Sequence, residues 1–203
     1  LLRRALAGAG LPQDCIQLVP TTDRAAVGEM LKAVDWLDLV VPRGGRSLID
    51  RVTEESRVPV LRHYDGICHV YVDRDADVAM ATEIVANAKM SRPGVCNAAE
   101  TVLVHRAIAG EFIPRLVAAL PGVEIRGDLR SQALAASIVP ATTADYEREF
   151  LDLIIAVKIV DSLEEAITHV ATFGTGHSEA IVTQSDSHAQ TWIRSVDAAA
   201  VVV

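Results

Sequence analysis

The chain has 203 residues, half of them hydrophobic, with a formal net charge of −8, so it holds enough apolar material for one large core or two modest ones. An acidic chain with 4% aromatic residues offers neither a basic field nor stacking platforms for nucleic acid, and no nucleic-acid partner is expected. The longest apolar strings, such as LIIAV at 153–157, are strand-sized, so no membrane partner is expected, and three cysteines without a CxxC (Cys15, Cys68, Cys96) suit a reducing, cytoplasmic setting.

In chain order, a helix is predicted around 1–9, an apolar strand-like run at 15–19 (CIQLV), a helix over 23–34, and a second run at 37–41 (LDLVV). Gly44 and Gly45 then open the helix-like SLIDRVTEES, and VPVL at 58–61 follows as a further short run. This alternation reads as βαβ, with a parallel sheet covered on both faces. LLRRALAGAG is too short in its apolar part for a targeting segment, and without an initiating Met the chain is expected to be a fragment.

HYDGICHVYVD runs into a strand ending at Asp73, after which Asp75 or Asp77 can cap a helix carrying Val78, Ala81, Ile84, Val85 and Ala88 at helical spacing. That helix must end before Pro93, so Cys96 falls in a loop before the strand TVLVH. Next come a helix over 107–120, the strand VEIRG, a polar-rich region over 131–149 and the strand LIIAVKIV. Ser162 and Glu165 have capping-box spacing for the next helix. The chain closes with EAIVT, a helix around 188–196 and AAAVVV.

A free cysteine is most often a small core hydrophobe. Cys96 departs from that pattern because RPGVCN is rich in turn residues and Lys89 and Arg92 precede it closely enough to favour a thiolate. Cys15 and Cys68, inside apolar runs, are expected to be buried and inert. The glycines of VVPRGGRSLID either present helix-start N–H groups to an anion or make a tight left-handed turn. Six histidines show no ligand spacing, so no metal is expected. His177 and Ser178 in GTGHSEA belong to a substrate loop or a solvated turn, and Glu147 and Glu149 can line a helix end.

Together, LDLVVPRGGRSLIDRV, HYDGICHVYVD, RPGVCNAAETVLVH, EFLDLIIAVKIVDSLEEAITHV and GTGHSEAIVT resemble the aldehyde dehydrogenase superfamily, within it the branch that reduces an acyl phosphate. Gly94 departs from that branch, where a serine is expected. The resemblance implies an α/β fold, with residues 1–66 the later part of a Rossmann-like dinucleotide-binding domain and 67–203 most of a parallel α/β catalytic domain. It implies that Cys96 attacks L-glutamyl 5-phosphate, and that the thioester is reduced by NADPH to glutamate 5-semialdehyde in proline biosynthesis; another acylating or semialdehyde dehydrogenase, or a non-catalytic fragment, are the alternatives.

By the same resemblance, Arg43, Gly44 and Gly45 approach the dinucleotide phosphates, and Glu149 holds the nicotinamide ribose. The Cys96 N–H and an Asn from an earlier segment stabilise the oxyanion. Asn97, His177 and Ser178 face the substrate; Lys89 and Arg92 are assigned to its phosphate or carboxylate on electrostatic grounds. A hydrolytic dehydrogenase carries a general-base Glu where this chain has His63-Tyr64-Asp65-Gly66, and a thioester meant for hydride needs no such base. The chain is expected to lack an N-terminal portion and a C-terminal segment of the whole enzyme, and to be a poor catalyst alone. The implied partners are the small-molecule substrate, glutamate 5-kinase in functional association, and further copies of the full-length chain in a homo-oligomer.

Overall fold

The structure, a computed structural model, describes residues 1–61 and 66–203. It divides into two compact units, Leu1–His63 and Tyr64–Val203.

The first unit holds helices α1 (Leu2–Gly8), α2 (Ala25–Met30) and α3 (Arg46–Glu55), with a single 3₁₀ turn at Gln13–Cys15. The strands expected at 15–19, 37–41 and 58–61 do not form. Their place is taken by one parallel bridge, Val40 with Val60, closed by Val40 N–H to Pro59 O and Leu61 N–H to Val40 O. A strand needs neighbours to take its amides and carbonyls. CIQLV has none among the described residues, and it is bracketed by Pro12 and Pro20. Leu18 is 87% exposed, and Cys15, expected in the core, is exposed as well. Leu31, Val52 and Val58 are the buried residues that hold this unit together.

The second unit is a three-layer α/β/α sandwich. Its seven strands are β1 (Cys68–Val72), β2 (Ala99–His105), β3 (Glu124–Gly127), β4 (Val139–Pro140), β5 (Ile154–Val160), β6 (Ser178–Val182) and β7 (Ala200–Val202). All pairings are parallel, in the order β4-β3-β5-β2-β1-β6-β7. Between them run α4 (Val78–Met90), α5 (Arg106–Ala119), α6 (Leu129–Gln132), α7 (Thr143–Tyr146), α8 (Leu163–Phe173) and α9 (Asp186–Ser195).

The central strands are apolar on both faces because helices cover both. On one face Val70, Val72, Val102 and Val104 pack with Ala81, Val85, Phe112 and Leu116 of α4 and α5. The alternate residues Tyr71 and Leu103 pack on the other with Leu163, Ala166, Val170 and Trp192 of α8 and α9. The Trp192 ring is fully buried and stacks on Tyr71 at 5.7 Å between centroids.

Side-chain caps set several helix starts. Asp77 accepts the Met80 amide at α4, and Ser162 accepts that of Glu165 at α8. The expected box at α8 closes differently, since Glu165 reaches back to the Asp161 amide rather than to that of Ser162. A reciprocal capping box does form at α7, between Thr142 and Asp145, inside the region read from sequence only as polar.

Candidate active site

Four adjacent strands, β5-β2-β1-β6, are entered by the loops that carry the candidate residues. Glu149 lies before β5, Cys96 before β2, Gly66 before β1 and His177 before β6. Parallel pairing brings all four entries to one edge of the sheet.

The Cys96 loop follows the end of α4 and turns through Pro93 and Gly94. Cys96 is half-buried, unlike Cys68, which is buried, and Cys15, which is exposed. Among the described residues the Cys96 and Asn97 amides reach no backbone carbonyl, while those of Val95 and Ala98 close local turns on Arg92 and Val95. A nucleophile flanked by its own undirected N–H groups has the donors an oxyanion needs.

Gly66 is pressed against this loop. A Cβ there would lie 2.6 Å from the Cys96 carbonyl carbon and 2.9 Å from its Cα, so only a residue without a side chain fits. The Gly66 amide donates to Glu149 Oε1 at 3.0 Å. Glu149 thus touches the peptide that packs on Cys96, which the sequence gives no means of seeing. Cys68 adds a second brace, its thiol donating to the Cys96 carbonyl at 3.2 Å. Burial, with the nearby Glu179 carboxylate, pushes the Cys68 thiol up to about 12, so it stays protonated and donates. Its Sγ also lies 3.8 Å from His177 Nδ1, which is 2.9 Å from Ser178 Oγ. Thr175 Oγ1 accepts the Ile67 amide at 3.1 Å and ties the β6 loop to the β1 entry. Cys96, Glu149, His177 and Ser178 are therefore neighbours through one network of short links.

Other expectations fare differently. Lys89 is fully buried, its ammonium donating to Glu100 Oε2 at 2.8 Å, so the free cation expected beside the thiol is a buried ion pair. Arg92 and Asn97 are exposed and open to solvent. In the first unit Arg43, Gly44 and Gly45 are exposed ahead of α3. Gly45 is its N-cap in an extended conformation, φ −70°, rather than a left-handed turn, and no side chain caps the first-turn amides. Those amides suit a phosphate group. Of His63-Tyr64-Asp65-Gly66, the first three lie outside the described residues.

Several residues with site-shaping roles escaped the sequence. The pairing of β1 with β2 skips Glu100, since Cys68 faces Ala99 and His69 faces Thr101. A lone carboxylate in AETVLVH was the available signal. His69 and Glu179 form a second buried pair, Nδ1 to Oε2 at 2.9 Å, beside His169. At the opposite, carboxyl edge of the sheet, Asp73, Asp75 and His188 bring ligand atoms within 4.8 Å of one another. The Asp73 oxygens there already accept from Tyr71, Thr183 and His188, at 3.0, 2.7 and 2.7 Å, which makes the cluster a satisfied hydrogen-bond network. No helix among the described residues is long and apolar enough to cross a membrane.

γ-Glutamyl phosphate reductases are similar to the chain along nearly all of it. That of Paramagnetospirillum magneticum is 49% identical over 203 residues, covering 99% of this chain and 48% of the relative. That of Methylobacterium sp. is 52% identical over 200 residues, covering 97% and 46%. The crystal structure of the Thermotoga maritima γ-glutamyl phosphate reductase superposes with a TM-score of 0.89 at 45% identity, over 99% of this chain and 49% of that one. Betaine aldehyde dehydrogenase from Staphylococcus aureus, 15% identical, shares the fold with a TM-score of 0.76, over 98% of this chain and 50% of that one. The chain spans about half the length of the curated relatives it matches. Residues 1–152 match the Aldehyde dehydrogenase family, and the chain belongs to that family.

Proposed function

We propose that the protein containing this chain reduces L-glutamyl 5-phosphate to L-glutamate 5-semialdehyde and phosphate, in L-proline biosynthesis, with NADPH as reductant and Cys96 as nucleophile. The observation that carries this is a half-buried cysteine before β2, braced by Gly66 and Cys68, whose own amide and that of Asn97 meet no backbone carbonyl among the described residues. The relatives' shared name points to the same substrate.

The Cys96 sulfur attacks the γ-acyl carbon, a C–S bond forms, the C–O bond to phosphate breaks, and phosphate leaves with the thiol's proton. Splitting a hard reduction into acyl transfer and hydride transfer lowers each barrier. The Cys96 and Asn97 amides meet the oxygen that gains charge in both halves. NADPH, when bound, supplies the hydride that reduces the thioester carbon. The residues fit it: the uncapped start of α3 after Arg43, Gly44 and Gly45 offers N–H groups to the phosphates, and half-buried Glu149 offers a carboxylate to ribose hydroxyls. Collapse of the resulting thiohemiacetal releases the aldehyde and regenerates the thiolate. His177, Ser178, Asn97 and Arg92 are the proposed substrate contacts. Glutamate 5-kinase is the proposed supplier of an acyl phosphate too labile to accumulate, and a homo-oligomer the proposed whole-enzyme assembly.

The test is the reverse reaction in the full-length protein, with glutamate semialdehyde, NADP and phosphate. Turnover should require phosphate and fall by at least a thousandfold in Cys96→Ser. Turnover without phosphate, or an active serine variant, refutes the mechanism.

A further inference from the structure

The Lys89–Glu100 pair is buried beside the Phe150 ring. Both side chains are fully buried, and removing two charges from water is offset only when each finds good partners. Lys89 Nζ has Glu100 Oε2 at 2.8 Å and lies 5.9 Å from the centre of the Phe150 ring, within cation–π range; Arg126 Cζ is 5.4 Å from the same ring. The register skip between β1 and β2 singles out Glu100, and such irregularities re-aim a side chain. Here the carboxylate is aimed at the loop entering β5. The Phe150 and Leu151 amides face it, while its Oε1 is buried without a partner at hydrogen-bonding distance. Burial raises the Glu100 pKa against the opposing pull of Lys89.

The loop it faces is held in an uncommon conformation. Leu151 has φ 56°, in the left-handed region that a branched side chain avoids, and surrounding contacts must hold it there. The residue just before that loop segment is Glu149, whose Oε1 clamps the Gly66 amide, and Gly66 lies on the Cys96 backbone. The chain of contact therefore runs from Lys89 and Glu100 through Phe150 and Leu151 to Glu149, then through Gly66 to Cys96.

We infer that Lys89 and Glu100 are positioning residues: the buried pair fixes the 149–151 loop so that one Glu149 oxygen clamps Gly66 against the Cys96 loop while the other is left for the cofactor. This rests on the proposed role of Glu149 at the nicotinamide ribose. It goes further in making cofactor binding and nucleophile position share one carboxylate, so that NADP should alter the reactivity of Cys96.

The experiment uses the full-length protein with Glu100→Gln, Lys89→Met and the apolar double variant Lys89→Met/Glu100→Leu, each checked by thermal melting. KM for NADP and for phosphate are measured in the reverse reaction. Alkylation of Cys96 by iodoacetamide is followed with and without NADP. Folded variants should show a rise of about tenfold in KM for NADP with KM for phosphate within twofold of wild type. NADP should change the alkylation rate in wild type and no longer do so in the variants, and Lys89→Arg should recover most of both effects. If the single variants unfold, the double variant, whose core is neutral, carries the test. A folded variant with wild-type KM for NADP and a wild-type response of Cys96 to NADP would show the pair to be structural only, overturning the inference. The alkylation readout needs no acyl substrate, so a wild type that turns over without phosphate sinks the acyl-phosphate reaction and leaves this test intact.

Discussion

Gly66→Ala is the sharpest perturbation of the site. The new Cβ would sit 2.6 Å from the Cys96 carbonyl carbon and nearer still to its oxygen, whereas ordinary contact begins at 3.4 Å, so one of the two backbones must move by more than about 1 Å. Neither is a flexible side-chain end. Gly66 is tied to Glu149 through its amide, and the Cys96 carbonyl is tied to Cys68, so the displacement passes to one or both braces. Overpacking of this kind destabilises by about 1–3 kcal/mol. A misplacement of order 1 Å in reacting groups lowers turnover by roughly a hundredfold. In the full-length protein, kcat should fall by about that factor while most of the fold survives, as judged by melting temperature and circular dichroism. The Cys96 alkylation rate should change, with Cys15 as the internal reference. A folded alanine variant with wild-type kcat would show that the Gly66 backbone does not set the nucleophile's place.

Two further expectations concern stability. His169 is buried between Tyr146, Phe173 and His69, with Lys158 Nζ 3.5 Å from its Nδ1, and burial above all, with the Lys158 ammonium beside it, depresses its pKa to about 3. Its unfolded form protonates near 6.5, so below that pH the unfolded chain binds the extra proton. Stability from this residue is complete above pH 6.5 and is lost as pH falls toward 3, by up to about 1.4 kcal/mol per pH unit. Urea unfolding at stepped pH should show this slope in wild type and a shallower one in His169→Phe; equal slopes would remove His169 as the cause. At Leu151, half-exposed at φ 56°, replacement by the β-branched Val should destabilise by about 1 kcal/mol or more. Leu151→Gly should stay within about 0.5 kcal/mol, because relief of strain is offset by the greater freedom of the unfolded glycine. Chemical denaturation checks both, and a Val variant as stable as the Gly variant contradicts the assigned conformation.

Legibility from sequence followed local signals. The second unit was readable because apolar runs too continuous for a one-faced sheet, helical spacing and the caps Asp77 and Ser162 agree with one another. In the first unit the same apolar runs misled, because strand formation is a property of neighbours and CIQLV has none to pair with among the described residues. The Thr142-x-x-Asp145 box was present in the sequence as a helix-start signal, but its helix is only four residues long. At the candidate site, Cys96 stood out in the sequence through the turn residues around it. Lys89 was misjudged for a definite reason: eleven residues separate it from Glu100 across a helix end, a turn and a register skip, and only the folded sheet brings them to 2.8 Å.

The edge of the sheet chosen for the thiol bears on its chemistry. Open parallel sheets usually hold ligands beyond the carboxyl ends of their strands, where helix N-termini gather. Here those ends carry the saturated Asp73 network, and the proposed nucleophile Cys96 stands at the amino ends instead. The loop entering β2 there carries the Cys96 and Asn97 amides, which meet no backbone carbonyl among the described residues. Such donors suit anionic oxygens. They do nothing to activate water, which requires a base. Position 66 cannot supply one, because any side chain there meets the Cys96 backbone. Glu149 has one oxygen committed to accepting from the Gly66 amide. Close packing of Gly66 thus holds the Cys96 backbone, with Glu149 and Cys68 as its hydrogen-bonded braces.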